Sequence, residues 1–398
     1  MISTLLLDLD HTLLTNDMQT FLPAYLKLLS NHLADLVDPG RMVEVLMTGT
    51  QAMLDNMDPT RTLEQVFNQH FYPTLGLDQT TTAARIETFY SQDFGQLENI
   101  TGQRPAAIRI VEFAFEQGLD VVIATNPLFP KIAVDQRLKW ANLPPGDYDF
   151  SLISSFEHFH FAKPHPEYFA EILGRLGRSP SEAAMLGDDL ALDIHPAHAL
   201  GLSVFHVGDE SNPSFDCGTL EDALTWLQSI LNSKPAAIND TPAQLLARLR
   251  GHLGALRSML TDLPDQCWIT RLKENEWAAV EIICHMRDVE LEINLPRFKA
   301  ILAQEQPFLS SFDSDRWAEE RKYLQQSGAQ ALEIFTETRL QILAMLEEQS
   351  PADWMRKARH AIFGPTSLLE MVSIGLEHDM QHLSQLRRTL KALPSAVP

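Results

Sequence analysis

A change of grammar near residue 236 constrains this chain more than any other feature. Before it, short apolar runs alternate with amphipathic helical stretches; after it, only helical periodicity remains. The early runs, 4–9, 119–125, 150–154, 183–187 and 203–207, are too short for helices, and each after the first follows a helical stretch such as 104–117 or 166–176. Strands alternating with helices predict an α/β domain whose parallel sheet is covered on both faces. Residues 20–100 interrupt the rhythm with helical patterns and no convincing strand, so an all-α insertion of about 16–98 is expected after the first strand.

The stretch 232–240 lacks apolar periodicity and reads as a linker, and Thr241-Pro242 then offers an N-cap and a first-turn proline. Beyond it, helical periodicity over 242–260, 276–303, 329–348 and 367–390, with no strand signal, predicts an all-α four-helix bundle. Gly364-Pro365-Thr366 suits a sharp entry into the last helix. Two domains are therefore expected, 1–235 and 236–398.

Charge narrows the function classes. With 53 acidic against 31 basic residues the chain carries a formal −22, of which −18 falls in residues 1–235. A nucleic-acid or membrane-surface binder needs a basic patch to meet phosphates, so neither partner is expected. No apolar stretch approaches the ~18 residues of a membrane span, and the first residues, without a basic flank, do not read as a signal peptide. Cys217, Cys267 and Cys284 are odd in number and widely spaced, without a CxxC. That fits a reducing cytoplasm better than a disulfide framework.

In open parallel sheets ligands bind at the carboxyl ends of the strands, so the residues there carry the chemistry. The first strand ends Asp8-Leu9-Asp10-His11-Thr12, the second Thr125-Asn126, and the fourth Gly187-Asp188-Asp189 with Asp193 just beyond. Lys163 precedes a helix starting near Pro166. Acids so placed push protons onto one another unless a cation joins them. A hard cation with oxygen ligands, Mg²⁺ above all, meets that need. With a lysine it would neutralise a phosphate so that a carboxylate can attack. Alone, Asp188 and Asp189 are equally readable as helix caps; the four elements together point to phosphoryl transfer.

Over about residues 1–230 these elements resemble the haloacid dehalogenase superfamily, whose Rossmann-like core holds them in this order. The resemblance implies that Asp8 is the nucleophile forming an aspartyl-phosphate, and that Asp10 is the general acid/base whose backbone carbonyl also ligates Mg²⁺. By the same resemblance Thr125 and Asn126 contact phosphate, Lys163 neutralises charge, Asp188 ligates the metal and Asp193 orients a metal-bound water. An acid two residues after the nucleophile points to a phosphatase, since dehalogenases lack it. The insertion resembles the cap of phosphoglycolate-phosphatase-like members, which implies a small phosphorylated metabolite as substrate. His11 departs from the commoner glycine. His158, His160 and His165 read as loop residues, and His195 and His198 as helix-surface residues. No GxSxG, GxGxxG or P-loop pattern occurs.

In the second part, His378 and His382 lie four apart on one helical face, near enough to share a metal. Packing of the helix that carries His285 would complete a three-histidine site. Trp277, His285, Phe363-Gly364 and His378-Asp379-x-x-His382 resemble the DinB-like four-helix bundles over about 241–391. The resemblance implies a divalent transition metal (Zn²⁺, Ni²⁺ or Fe²⁺) on the three histidines and, in some relatives, activation of a low-molecular-weight thiol. Cys284 should point about 100° away from His285 and be buried, while Glu281, one turn before it, could orient its imidazole or face solvent. The leading expectation is a Mg²⁺-dependent phosphatase fused to a metal-binding bundle. Its rivals put the main activity in the bundle, as a metal- and thiol-dependent transferase, or make the bundle a binding or dimerisation module, with a homodimer in view.

Overall fold

The computed structural model describes residues 1–208, 214–231, 240–314 and 316–393; the expected linker, apart from Asp240, lies outside them. The chain divides into two compact units, Met1–Phe169 with Pro180–Ala237, and Ala170–Ser179 with Ile238–Pro398.

In the first unit, the run Thr-Leu-Leu-Leu of β1 (Thr4–Leu7) is buried on both faces, as a central parallel strand must be. The chain continues through β2 (Leu14–Thr15), β3 (Gly102–Gln103), β4 (Asp120–Ile123), β5 (Leu152–Ile153), β6 (Ala183–Gly187), β7 (Ser203–Val207) and β8 (Asp216–Gly218). Six of these form one sheet in the order β5-β4-β1-β6-β7-β8, every pair parallel. Leu5 stands opposite both Val121 and Ala184, which puts β1, and the acids that follow it, at the centre. All five expected strands are present; β8 was missed because Asp-Cys-Gly is an edge strand without an apolar run.

β2 and β3 pair antiparallel, Leu14 opposite Gln103, and bracket the insertion where the chain leaves and re-enters the sheet domain. Between them lie α1 (Met18–His32), α2 (Pro39–Leu54), α3 (Leu63–Leu75) and α4 (Gln79–Gln92). Each is opened by a side-chain cap: Asp17, Asp38, Thr62 with Gln65 in a capping box, and Asp78. Those four caps explain why this stretch folds as separate helices. Phe21, Tyr25, Phe89 and Phe94 carry the apolar core of the sheet into the cap. Covering helices are α5 (Pro105–Glu116), α6 (Lys131–Trp140), α8 (His195–Leu200) and α9 (Leu220–Leu231), while α7 (Pro166–Leu176) starts in this unit and from Ala170 onward belongs to the second.

The second unit is built around a bundle of four long helical runs. α10 (Pro242–Leu260) starts at a Thr241–Gln244 capping box. After the short α11 (Asp265–Ile269), the second run is α12 (Ala279–Val289), a π-helical turn Glu290–Asn294, and α13 (Leu295–Ala303). Pro296, lacking an N–H and crowding the turn before it, accounts for the irregular turn. Short α14 (Trp317–Glu320) and α16 (Pro351–Trp354) flank α15 (Gly328–Glu347), and α17 (Leu368–Lys391) closes the bundle from a Ser367 cap. The expectation of a strandless second part is corrected: β9 (Phe308–Leu309), β10 (Lys357–His360) and β11 (Gly364–Ser367) form a three-stranded sheet. Two of the strands are too short or too rich in Gly and Pro to signal, and β10 alternates charged with buried residues over one turn of the pleat. Gly364-Pro365-Thr366 therefore belongs to a strand. Among the described residues no helix is long and apolar enough to cross a membrane, and Cys217, Cys267 and Cys284 are free thiols.

Candidate functional site

Asp8, the residue after β1, is buried at the middle of the sheet edge. Lys163, itself 1% exposed, donates from Nζ to Asp8 Oδ1 at 2.8 Å and to Asp193 Oδ1 at 2.5 Å. Asp188 follows β6, and Thr12 Oγ1 donates to its Oδ1 at 3.0 Å. Asp193 rides on the π-helical turn Leu190–Ile194, which Asp189 caps by accepting the N–H groups of Ala191 and Leu192. Gly187 makes room for it: a Cβ there would stand 2.2 Å from Asp193 Oδ2. Carboxylate oxygens of Asp8, Asp188 and Asp193 all lie within 4.8 Å of one another.

Three acids against one lysine leave the cluster electrostatically unbalanced. Burial raises the Asp8 carboxyl to about 7, with Asp193 and Asp10 adding to the rise and Lys163 opposing it. Asp188 is raised to about 6 by burial and the Asp8 charge, and burial also raises Asp193 against the pull of Lys163. Burial works to discharge the Lys163 ammonium, but Asp193 and Asp8 outweigh it and shift its pKa upward. A divalent cation fits this donor set, since hard oxygens with surplus negative charge are what such ions take.

Asp10 is held apart from that cluster. Asn16 Nδ2 donates to its Oδ1 at 2.7 Å, and the buried Arg137 guanidinium donates to Oδ2. Thr125 is buried at the end of the β4 segment, its carbonyl accepting from Ser154 Oγ and Tyr168 OH, and Asn126 Oδ1 accepts the Lys163 backbone N–H at 3.1 Å. The sheet edge thus brings together all seven residues expected there. Sequence reasoning missed Arg137, Asn16 and His206, whose Nε2 donates to the Asp188 carbonyl at 2.8 Å. None sits in a local motif; Thr12, within the first run, was the one legible neighbour.

The second cluster is wholly in the bundle. His285 on α12 and His378 and His382 on α17 turn their Nε2 atoms together: His378 Nε2 is 3.1 Å from each of the others. Two nitrogens on one tetrahedral ion with bonds of ~2.0–2.1 Å keep ~3.3 Å apart, so the donor set fits a transition metal. Burial, with the neighbouring imidazoles, lowers His285 to about 3 and His382 to about 4, which keeps both neutral and their lone pairs free to bind. Trp277 packs on His285 and lies parallel to the His382 ring. Cys284 points away, buried, its thiol raised to about 11 by burial. Glu281 neither orients His285 nor faces solvent. Both its oxygens pair with Arg271, and one also accepts the Ala278 N–H, because the start of α12 is buried and its free donors need a carboxylate. Among the described residues, His158, His160 and His165 form no metal-binding group.

Residues 2–201 match the family model of haloacid dehalogenase-like hydrolases, and residues 248–386 that of the DinB superfamily. A ribulose-1,5-bisphosphate 5-phosphatase of Halopiger xanaduensis is 36% identical over 110 residues, 27% of this chain and 44% of that protein. A glyceraldehyde 3-phosphate phosphatase of Pyrococcus abyssi is 30% identical over 121 residues, 30% of this chain and 47% of that protein. The chain thus spans about half the length of these curated relatives. Among solved structures, YfiT from Bacillus subtilis, described as a probable metal-dependent hydrolase with an unusual four-helix bundle topology, aligns at 16% identity with a TM-score of 0.36, covering 40% of this chain and 91% of its own. By the model that spans its first half, the chain belongs to the haloacid dehalogenase-like hydrolases, and it carries a DinB superfamily bundle behind that domain.

Proposed function

We propose that the first domain, 1–235, is a Mg²⁺-dependent phosphatase that hydrolyses a phosphomonoester of a soluble metabolite through an aspartyl-phosphate on Asp8. The observation that carries this reading is the Lys163 ammonium bridging Asp8 and Asp193 beside Asp188 at the centre of the sheet edge. The curated relatives named above are phosphatases, which supports it.

Asp8, Asp188, Asp193 and the Asp10 carbonyl would hold Mg²⁺, which when bound offsets the charge of the phosphoryl oxygens. Lys163 holds Oδ1 of Asp8, so Oδ2 is the atom that attacks phosphorus. The P–O bond to the alcohol breaks as the bond to Oδ2 forms, and Asp10 gives its proton to the leaving oxygen. Asp10 then takes a proton from the water that attacks the acyl phosphate, which releases phosphate and restores Asp8. Thr125 and Asn126 line the strand end where the phosphoryl oxygens sit.

The second domain, 236–398, binds a divalent transition metal, Zn²⁺, Ni²⁺ or Fe²⁺, on His285, His378 and His382. Convergence of three imidazoles, two of them (His285 and His382) held neutral by burial, supports that reading. The test of the phosphatase is phosphate release from a panel of monoesters by purified protein with Mg²⁺. Release that EDTA stops and added Mg²⁺ restores is expected; release indifferent to EDTA contradicts it.

A further inference from the structure

The first unit contains a cavity of about 470 Å³, and none of the residues assigned above to the chemistry lines it. Its wall, drawn from α1 to α4, the loop after Asn126 with the start of α6, and the loop after β5, is mostly apolar and rich in rings: Leu22, Tyr25, Leu46, Phe67, Tyr90 and Phe129 among them. The wall is continuous with the reaction site. Phe129 packs against Tyr25, with ring centroids 5.2 Å apart. The Arg137 guanidinium lies over the same Phe129 ring at 4.7 Å and pairs with Asp10. Asp10 is the group proposed above to protonate the leaving oxygen, and this chain of contacts joins it to the cavity wall.

Ring-lined walls choose among alcohols. A sugar would give up hydrogen bonds to water and find few partners here, whereas an alkyl or aryl chain gains by leaving water. Acidic residues interrupt the apolar wall. Glu157 Oε1 accepts the Lys131 N–H at 2.8 Å, but Oε2 is buried without a hydrogen-bond partner. Glu64 lines the same cavity, its carboxyl pushed up by burial and by the charge of Glu157. An ammonium group would satisfy Oε2, and aromatic faces around it favour a cation as well.

We propose that this cavity seats the alcohol part of the substrate, and that the substrate is the phosphate monoester of an apolar alcohol that carries an amino group. The proposal rests on Asp8 being the phosphoryl acceptor and names the substrate class of that site. It sets this chain apart from its curated relatives, whose named substrates are sugar or triose phosphates.

The test measures kcat/KM with Mg²⁺ for methyl, hexyl and 6-aminohexyl phosphates and for sorbitol 6-phosphate, which has the carbon chain of hexyl phosphate with its hydroxyls added. Hexyl phosphate should exceed sorbitol 6-phosphate by about 10-fold or more. The 6-amino group should raise kcat/KM further, and Glu157→Gln, which keeps an oxygen for Lys131, should remove that gain. Ala83→Trp, at an exposed position on the cavity rim, should lower the ratio of hexyl to methyl phosphate. Sorbitol 6-phosphate equal to or better than hexyl phosphate, with Mg²⁺-dependent turnover intact, overturns the substrate class and leaves the phosphatase standing. If no ester is turned over, the reading of Asp8 fails, and equilibrium dialysis then decides the cavity alone. Hexyl phosphate bound by the wild type and lost in Ala83→Trp upholds it; no binding overturns it.

Discussion

Asp10 and Arg137 show how a residue far along the chain sets the chemistry of a strand end. Arg137 and Asn16 fix both oxygens of Asp10, the proposed proton donor, and displacing such a group by ~1 Å can cost about 10²-fold in rate. Arg137→Met should therefore lower kcat by about 10- to 100-fold while KM moves less. In Asp10→Asn the same change should cost little more, because the two act as a unit. Full additivity in that double-mutant cycle would separate Arg137 from Asp10. Lys163→Met removes the ammonium that joins Asp8 to Asp193 and should lower turnover by about 10²-fold or more. A variant within a few-fold of wild type would remove Lys163 from the mechanism. At this scale the sequence was most legible: Asp8, Asp10, Thr125, Lys163, Asp188 and Asp193 stand in short motifs. Arg137 and His206 do not, because their partners are brought to them only by the fold.

At the scale of elements, the strands of the first unit were readable because a central parallel strand is buried on both faces and so runs apolar without a break. β8 and the small sheet of the second unit had no such run, and the π-helical turn at Glu290–Asn294 hid inside unbroken helical periodicity. That turn places Glu290 in the bundle core, where it shares Arg339 with Asp379. Arg339 is 1% exposed and also donates to the Leu249 carbonyl. Arg339→Leu would leave two buried carboxylates without their cation, so the unfolding of the second unit should lose about 3–5 kcal/mol. The check is the urea midpoint followed by circular dichroism; an unmoved midpoint would mean the network is not structural.

For the whole molecule, two donor sets of opposite character sit in different units: oxygens for a hard cation in one, imidazoles for a softer one in the other. A His378→Ala/His382→Ala variant should purify without transition metal, by elemental analysis, and keep its Mg²⁺-dependent phosphatase rate. Loss of that rate in a folded variant would contradict independent sites. The central claim is that Asp8 accepts the phosphoryl group, and its most direct measurement is Mg²⁺-dependent phosphate release by wild type and Asp8→Asn side by side. The amide keeps the shape of the side chain but is a far weaker nucleophile and a neutral ligand. The account predicts release by the wild type and none by a folded Asp8→Asn; equal release by both would contradict it.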